Sequence, residues 1–297
     1  MQTLSRYAIQ SLIVASIVLA LKMFAWSITG SVALLSDALE SIINVAVAGA
    51  LWVALNVSAI PPDANHPFGH HKAEYFSAGL EGALIIVAAV AIFYKAVTHF
   101  IEPAAIDAPV VGIAVNIIAS VMNAVWGIYL IRVGKRERSP ALEADGRHVL
   151  SDVWSSIGVV VGVAAAVYTG YARLDALVAA CVGCYILFSG WDLLKSSVGG
   201  LMDEAVAPET LSLIQSTIEK TADGAIEAHD LQTRPSGPVT FIQFHLIVPA
   251  EMSVARAHDI CDRIEHALWE AVPGSRVSIH VEPEHKAKHA GIIMRAA

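Results

Sequence analysis

The sequence predicts a polytopic α-helical membrane protein with six transmembrane helices, followed by a C-terminal cytoplasmic α+β domain of ferredoxin-like αββαβ order. Three observations lead there. Of 297 residues, 56% are hydrophobic and 15% are charged, whereas an ordinary soluble domain carries about 25% charged residues. The apolar residues gather in runs of roughly 20, the length a helix needs to cross the hydrocarbon core. Charge then returns abruptly after Leu201.

The runs fall at 7–28, 31–55, 77–98, 109–132, 149–170 and 174–194. The first is expected to be a span and not a cleaved leader. It has no A-x-A-type cleavage site and runs almost directly into the second. Its turn, SITG, carries no Lys or Arg, and neither does HFIEPAAIDAP after the third run. Lys72 follows the second run, with His70 and His71, and Arg132, Lys135, Arg136 and Arg138 follow the fourth. Basic loops stay on the cytoplasmic side, so both termini are expected in the cytoplasm. Within the sixth run Cys181 and Cys184 sit among Ala, Val and Ile, a setting that suits packing more than redox chemistry.

A domain boundary is expected at 202/203. Residues 203–297 hold 14 of the 27 acidic side chains, 8 Lys plus Arg and 7 of the 12 histidines. PETLSLIQSTIEKTA has helical periodicity with Pro208 in its first turn. AIEAHDLQTR and VTFIQFHLIV alternate like strands around the turn residues PSGP. SVARAHDICDRIEHALWEAV forms a second amphipathic helix capped by Ser253, and RVSIHVEP forms a third strand. Helices packed on one face of a small sheet follow from that order. Beyond about residue 286 the chain reads as a loose end.

Polar residues inside the apolar runs carry the chemistry. Asp37, Glu40 and Asn44 share a face of the second run at i, i+3 and i+7, and His148 and Asp152 share a face of the fifth at i, i+4. Glu40, Asn44, His148 and Asp152 together make a four-ligand set for a divalent cation of intermediate hardness. Any one of them would serve equally well as an interhelical hydrogen bond, and Asp37 and Glu81 have the same alternative. Two pairs at helical spacing in separate runs point instead to an ion path. Asp63, His66 and His70 lie within one loop, and His229, His245, His258 and His280 lie on or beside tail elements, with Glu282 two residues past the last. Strand alternation can bring His229, His245 and His280 to a common face.

These motifs resemble the cation diffusion facilitators, six-span proton-coupled exporters of divalent metals, most closely the bacterial ferrous-iron/zinc efflux type. The resemblance rests on LLSDALESIINV, HPFGHHKAE, EADGRHVLSDVWSSIGV, LMDEA, HDLQTRPSGP, FIQFHL, RAHDI and PGSRVSIHVEP, in that order. It implies a homodimer with paired tails and a transport site at Glu40, Asn44, His148 and Asp152. It also implies a second site at Asp63, His66 and His70, a tail cluster of His229, His245, His258, His280 and Glu282, and a charged pair of Lys72 with Asp203. Span 2 departs from the type, with Glu and Asn where the iron/zinc pumps carry two Asp.

The expected function is efflux of zinc, iron(II) or manganese in exchange for protons, the cations serving as substrate and regulatory ligand. No organic cofactor and no nucleic-acid partner are expected. Metal and proton compete for the same ligands, and an imidazole titrating near ~6.5 suits the exchange. An ATP-driven pump is disfavoured because no G-x-x-x-x-G-K-[ST] loop is present, and a metallohydrolase because no H-E-x-x-H is. A membrane metal sensor would use the tail but leave the ligands inside the spans without purpose.

Overall fold

The structure, a computed structural model, describes residues 2–29, 32–101, 110–169, 171, 173–289 and 291–293. Its contacts divide the chain into two compact units, Met1–Val198 and Gly199–Ala297.

Six long helices build the first: α1 (Gln2–Thr29), α2 (Val32–Ser58), α3 (Ala73–Ile101), α4 (Val110–Glu137), α5 (Pro140–Thr169) and α6 (Arg173–Leu201). Among the described residues, α1, α2, α3, α4 and α6 are long and apolar enough to cross a membrane. The sixth expected span lies in α5, which has 30 residues but opens on the polar stretch PALEADGRH. Helix α4 runs on to Glu137 and α5 begins at Pro140, so Arg132, Lys135 and Arg136, expected in a loop, lie on helix. Arg138, at φ 53°, makes the turn between the two.

Large apolar side chains such as Ile13, Phe24, Val87, Tyr94, Val125 and Phe188 face outward, the arrangement a lipid surroundings favours because tails are as apolar as the core. Cys181 and Cys184, expected as packing residues, are exposed on α6. Among the described residues, two apolar clusters fill the interior of this unit. One joins Ala8, Leu51, Leu55, Leu130, Val133, Ala141 and Leu142, and the other joins Ala78, Ile85, Ala89, Ala144, Ile186 and Leu193. Helix α5 contributes to both. Its backbone approaches α4 closely: a Cβ on Gly146 would lie 2.8 Å from the carbonyl oxygen of Gly127.

The second unit holds α7 (Pro208–Thr221), β1 (Glu227–Ser236), β2 (Val239–Val248), α8 (Val254–Ala271), β3 (Ser275–Pro283) and β4 (Ile292–Ile293), in sheet order β3-β2-β1-β4. Strands β1 and β2 form a hairpin closed by Gly237 and Pro238, and α8 carries the chain across to β3, parallel to β2. Ile214 and Ile218 of α7 and Ile260, Ile264 and Leu268 of α8 pack on Ile242, Phe244 and Leu246. Because strand side chains alternate, His245 and Gln243 take the opposite face. The αββαβ order is present. The loose end expected after residue 286 is replaced by structure: Ile292 and Ile293 pair with Ala228 and Glu227 of β1. Two residues are too short a run to show a period, so pattern alone missed them.

Candidate metal sites

Asn44 of α2 meets the helical pair of α5 inside the first unit. Asn44 Nδ2 donates to Asp152 Oδ2 at 2.5 Å, and His148 Nε2 lies 3.1 Å from Asn44 Oδ1. An amide oxygen only accepts, so the His148 Nε2 hydrogen points at Asn44. His148 is buried, with Asn44 and Asp152 half-buried. Glu40 lies one helical turn before Asn44 on α2. The side chains of Glu40 and Asp37 fall outside the described residues. A narrow cleft lined by Ser11, Ser41, Asn44, Asn123, Trp126, Asp145 and His148 adjoins the trio.

Asp145 was not anticipated. It is buried, accepts from Ser11 Oγ, and stands one turn before His148 on α5. That i, i+3 spacing from His148 was the available signal. Glu81 is also buried. Its Oε1 accepts from Ser77 at 3.3 Å, and its Oε2 has no hydrogen-bond partner among the described residues.

The loop between α2 and α3 draws Asp63, His66 and His70 together, so that one ligand atom from each lies within 4.8 Å of the others. Asp63 Oδ1 accepts from the backbone N–H groups of His66 at 2.7 Å and Asn65 at 2.9 Å. The bond from His66 chiefly holds the Asp63 carboxyl below its ordinary range. His70 Nδ1 lies 3.4 Å from the carbonyl oxygen of Ile60, and Nε2 faces Asp63 Oδ2 at 3.5 Å.

In the second unit His229, His245 and His280 occupy matching positions on β1, β2 and β3. Their rings lie 5.4 Å and 4.9 Å apart between neighbours. Glu282 reaches all three, with Oε2 3.5 Å from both His229 Nε2 and His245 Nδ1 and Oε1 3.7 Å from His280 Nε2. Buried Glu227 lies 3.2 Å from His229 Nδ1. A carboxylate accepts, so Nδ1 carries the hydrogen toward Glu227, while the buried Nε2 faces Glu282 Oε2 and has no hydrogen-bond partner among the described residues. A carboxylate orienting a histidine in this way is the usual support of a metal ligand.

Asp230 joins them through a β-bulge. The ladder shifts between His229 and Gln232, and Asp230 has φ 53°, a left-handed conformation Asp tolerates. The extra residue lets Leu231 reach the core and places Asp230 Oδ2 3.9 Å from His245 Nδ1. His229, Asp230 and His245 form a second group whose ligand atoms lie within 4.8 Å of one another. A lone Asp where alternation expects a core residue was the sequence signal. His258, by contrast, sits on the exposed side of α8 and pairs with Asp262 at 3.6 Å. Within one chain it does not join the cluster.

Helices bearing carboxylate, amide and imidazole groups inside an apolar shell in the first unit, together with a histidine-rich sheet in the second, define an integral membrane protein that handles cations. Residues 8–202 match the cation efflux transmembrane domain and residues 206–284 match the cation efflux protein cytoplasmic domain. The chain belongs to the cation efflux (cation diffusion facilitator) family of transporters. It is 47% identical over 277 residues to an uncharacterized transporter of Synechocystis sp., covering 93% of this chain and 89% of that one. The cation-efflux pump FieF of Citrobacter koseri is 35% identical over 279 residues, covering 94% and 92%. A solved structure described as the zinc form of the zinc transporter CzrB shares 44% identity over 29% of this chain and 98% of its own, with a TM-score of 0.28.

Proposed function

We propose that this chain exports divalent transition-metal cations (zinc, iron(II) or manganese) from the cytoplasm in exchange for protons, by alternating access and without ATP. The observation that carries the reading is the meeting of Asn44, His148 and Asp152 across α2 and α5. With Glu40 they supply carboxylate, amide oxygen, imidazole and carboxylate. The His148 Nε2 hydrogen and the Asn44 amide hydrogens occupy positions an entering cation would take. Binding therefore expels a proton or forces a tautomer change at His148 and swings the Asn44 oxygen toward the ion, while protons returning from outside reverse the exchange. Low dielectric around the site makes an unpaired cation costly, so filling it with one ligand set for two kinds of ion keeps it compensated.

Asp63, His66 and His70 are proposed as a second cation site, and His229, His245, His280 and Glu282 as a regulatory one. His258 is assigned to that cluster on the resemblance alone, and the partner chain of a homodimer is the means of bringing it near. Residues 1–202 are read as the transport domain and 203–297 as the metal-binding dimerisation domain. Both termini are placed in the cytoplasm, with the spans in the inner membrane.

The test is uptake into proteoliposomes with zinc, iron(II) and manganese offered together and lumenal pH followed by dye. Metal flux accompanied by opposite proton flux is expected. Metal flux with no pH response under an imposed metal gradient refutes antiport.

A further inference from the structure

The segment expected to be loose is fastened over the tail cluster at three points. Lys288 Nζ lies 2.5 Å from Asp230 Oδ2. The backbone N–H of His289 donates to Glu227 Oε2 at 3.0 Å, on the same carboxylate that holds His229. Ile292 and Ile293 then pair with β1. Between them Gly291, at φ 141°, presses so close that a Cβ there would stand 2.6 Å from the Ala228 carbonyl oxygen and 3.2 Å from His229 Cβ. Only glycine fits such an approach.

Charge gives the arrangement a purpose. Glu227, Asp230 and Glu282 crowd three carboxylates around three imidazoles, and Lys288 brings a compact positive charge to one of them. The chief cause holding the Asp230 carboxyl below its ordinary range is that same ammonium. Yet Asp230 Oδ2 also faces His245, which makes it a ligand atom already engaged by a cation. We propose that residues 287–289 and 291–293 act as a strap whose Lys288 ammonium is an internal competitor for the tail cluster, so that a divalent cation drawing on Asp230 displaces Lys288 and loosens the strap. Two cations sharing one carboxylate repel each other, and the divalent ion brings twice the charge together with coordination by imidazole. The inference rests on the reading of this cluster as a metal site. It adds that the site is held partly closed by the chain itself and that filling it exposes β1 along its β4 edge.

The experiment uses the full-length protein in detergent, titrated with zinc chloride, the tail component being the binding lost in His245→Ala. Lys288→Met should tighten that component by up to roughly fivefold, the size of one part-exposed ion pair, and Lys288→Arg should leave it as in the wild type. Zinc should raise amide exchange at residues 287–289 and 291–293 in the wild type and leave it unchanged in His245→Ala. Zinc binding that His245→Ala removes, with no tightening in Lys288→Met and no change in exchange, overturns the strap alone. Zinc binding that His245→Ala leaves intact overturns the metal-site reading and the strap with it.

Discussion

Asn44 of α2 and Asp152 of α5, 108 positions apart in sequence, are joined by a 2.5 Å hydrogen bond from amide to carboxylate. The same amide accepts from His148 at its other end. One uncharged side chain thereby sets the spacing of two groups proposed as cation ligands, and it does so from a different helix.

Removing a ligand should therefore stop transport without unfolding the chain. Asp152→Ala and His148→Ala are each expected to lower metal flux by at least ~100-fold, the upper end of what even supporting residues cost a metal site. Expression and dimerisation should stay intact. Flux within a few-fold of the wild type in proteoliposomes would remove these residues from the site.

Span 2 should tune selectivity. Asn44→Asp adds a carboxylate and is expected to raise metal affinity, while Glu40→His replaces an oxygen donor with nitrogen and is expected to favour zinc over manganese. The readout is the zinc-to-manganese ratio in competitive uptake, and an unchanged ratio in Glu40→His would locate selectivity elsewhere.

Helix α5 should tolerate no bulk where it meets α4. A Cβ at Gly146 lies 2.7 Å from Ile131 Cγ1 and 2.8 Å from the Gly127 oxygen, so Gly146→Val should destabilise by about 1–3 kcal/mol through overpacking. It should also reduce flux, because His148 follows two residues later. Melting in detergent measures the first effect, and a melting temperature equal to the wild type's would contradict the seam.

Mild acid should leave the α2–α3 loop folded. The Asp63 carboxyl is held below its ordinary value of 3.8 chiefly by the His66 N–H. A depressed acid contributes stability above its unfolded pKa and loses it only as pH falls through the lower folded value. Protection of the Asn65 and His66 amides, corrected for intrinsic rates, should be the same at pH 7 and pH 5 and should vanish at both in Asp63→Ala.

The tail should respond to metal as a pair. Its 14 acidic residues against 8 basic ones make two copies repel, and divalent cations at the clusters would offset that and favour a closed arrangement. Spin labels at Gln215 in the full-length dimer, with Cys181 and Cys184 replaced, should move closer on adding zinc. A distance distribution that saturating zinc does not shift would make the tail a constitutive dimerisation module.

What the sequence made legible follows the range of each interaction. Glu40 with Asn44 and His148 with Asp152 are one turn apart, and helical geometry alone predicts a shared face. Alternation along β2 and β3 likewise put His245 and His280 on one side. The bond from Asn44 to Asp152 depends on how two helices cross, which no local period encodes. The bulge at Asp230 depends on a left-handed backbone at a residue where alternation expects burial, and β4 owes its existence to pairing with β1 rather than to any pattern of its own. Helix ends were misjudged for a related reason. Hydropathy marks where lipid would begin, whereas Lys135, Arg136 and Glu143 continue the hydrogen-bonded turns beyond it.

The three tail histidines stand side by side on neighbouring strands, each ring about one strand spacing from the next. Their separation is thus a property of backbone pitch and not of side-chain reach. Point changes can weaken such a row one member at a time, but a one-residue insertion or deletion within a strand exchanges its two faces at a stroke. Losing a single residue of β3 ahead of His280 would carry His280 into the place of Ile279, which packs against the core, and bring Val281 out in its stead. The row should therefore survive a change in the length of a turn more readily than a change in residue count within β2 or β3.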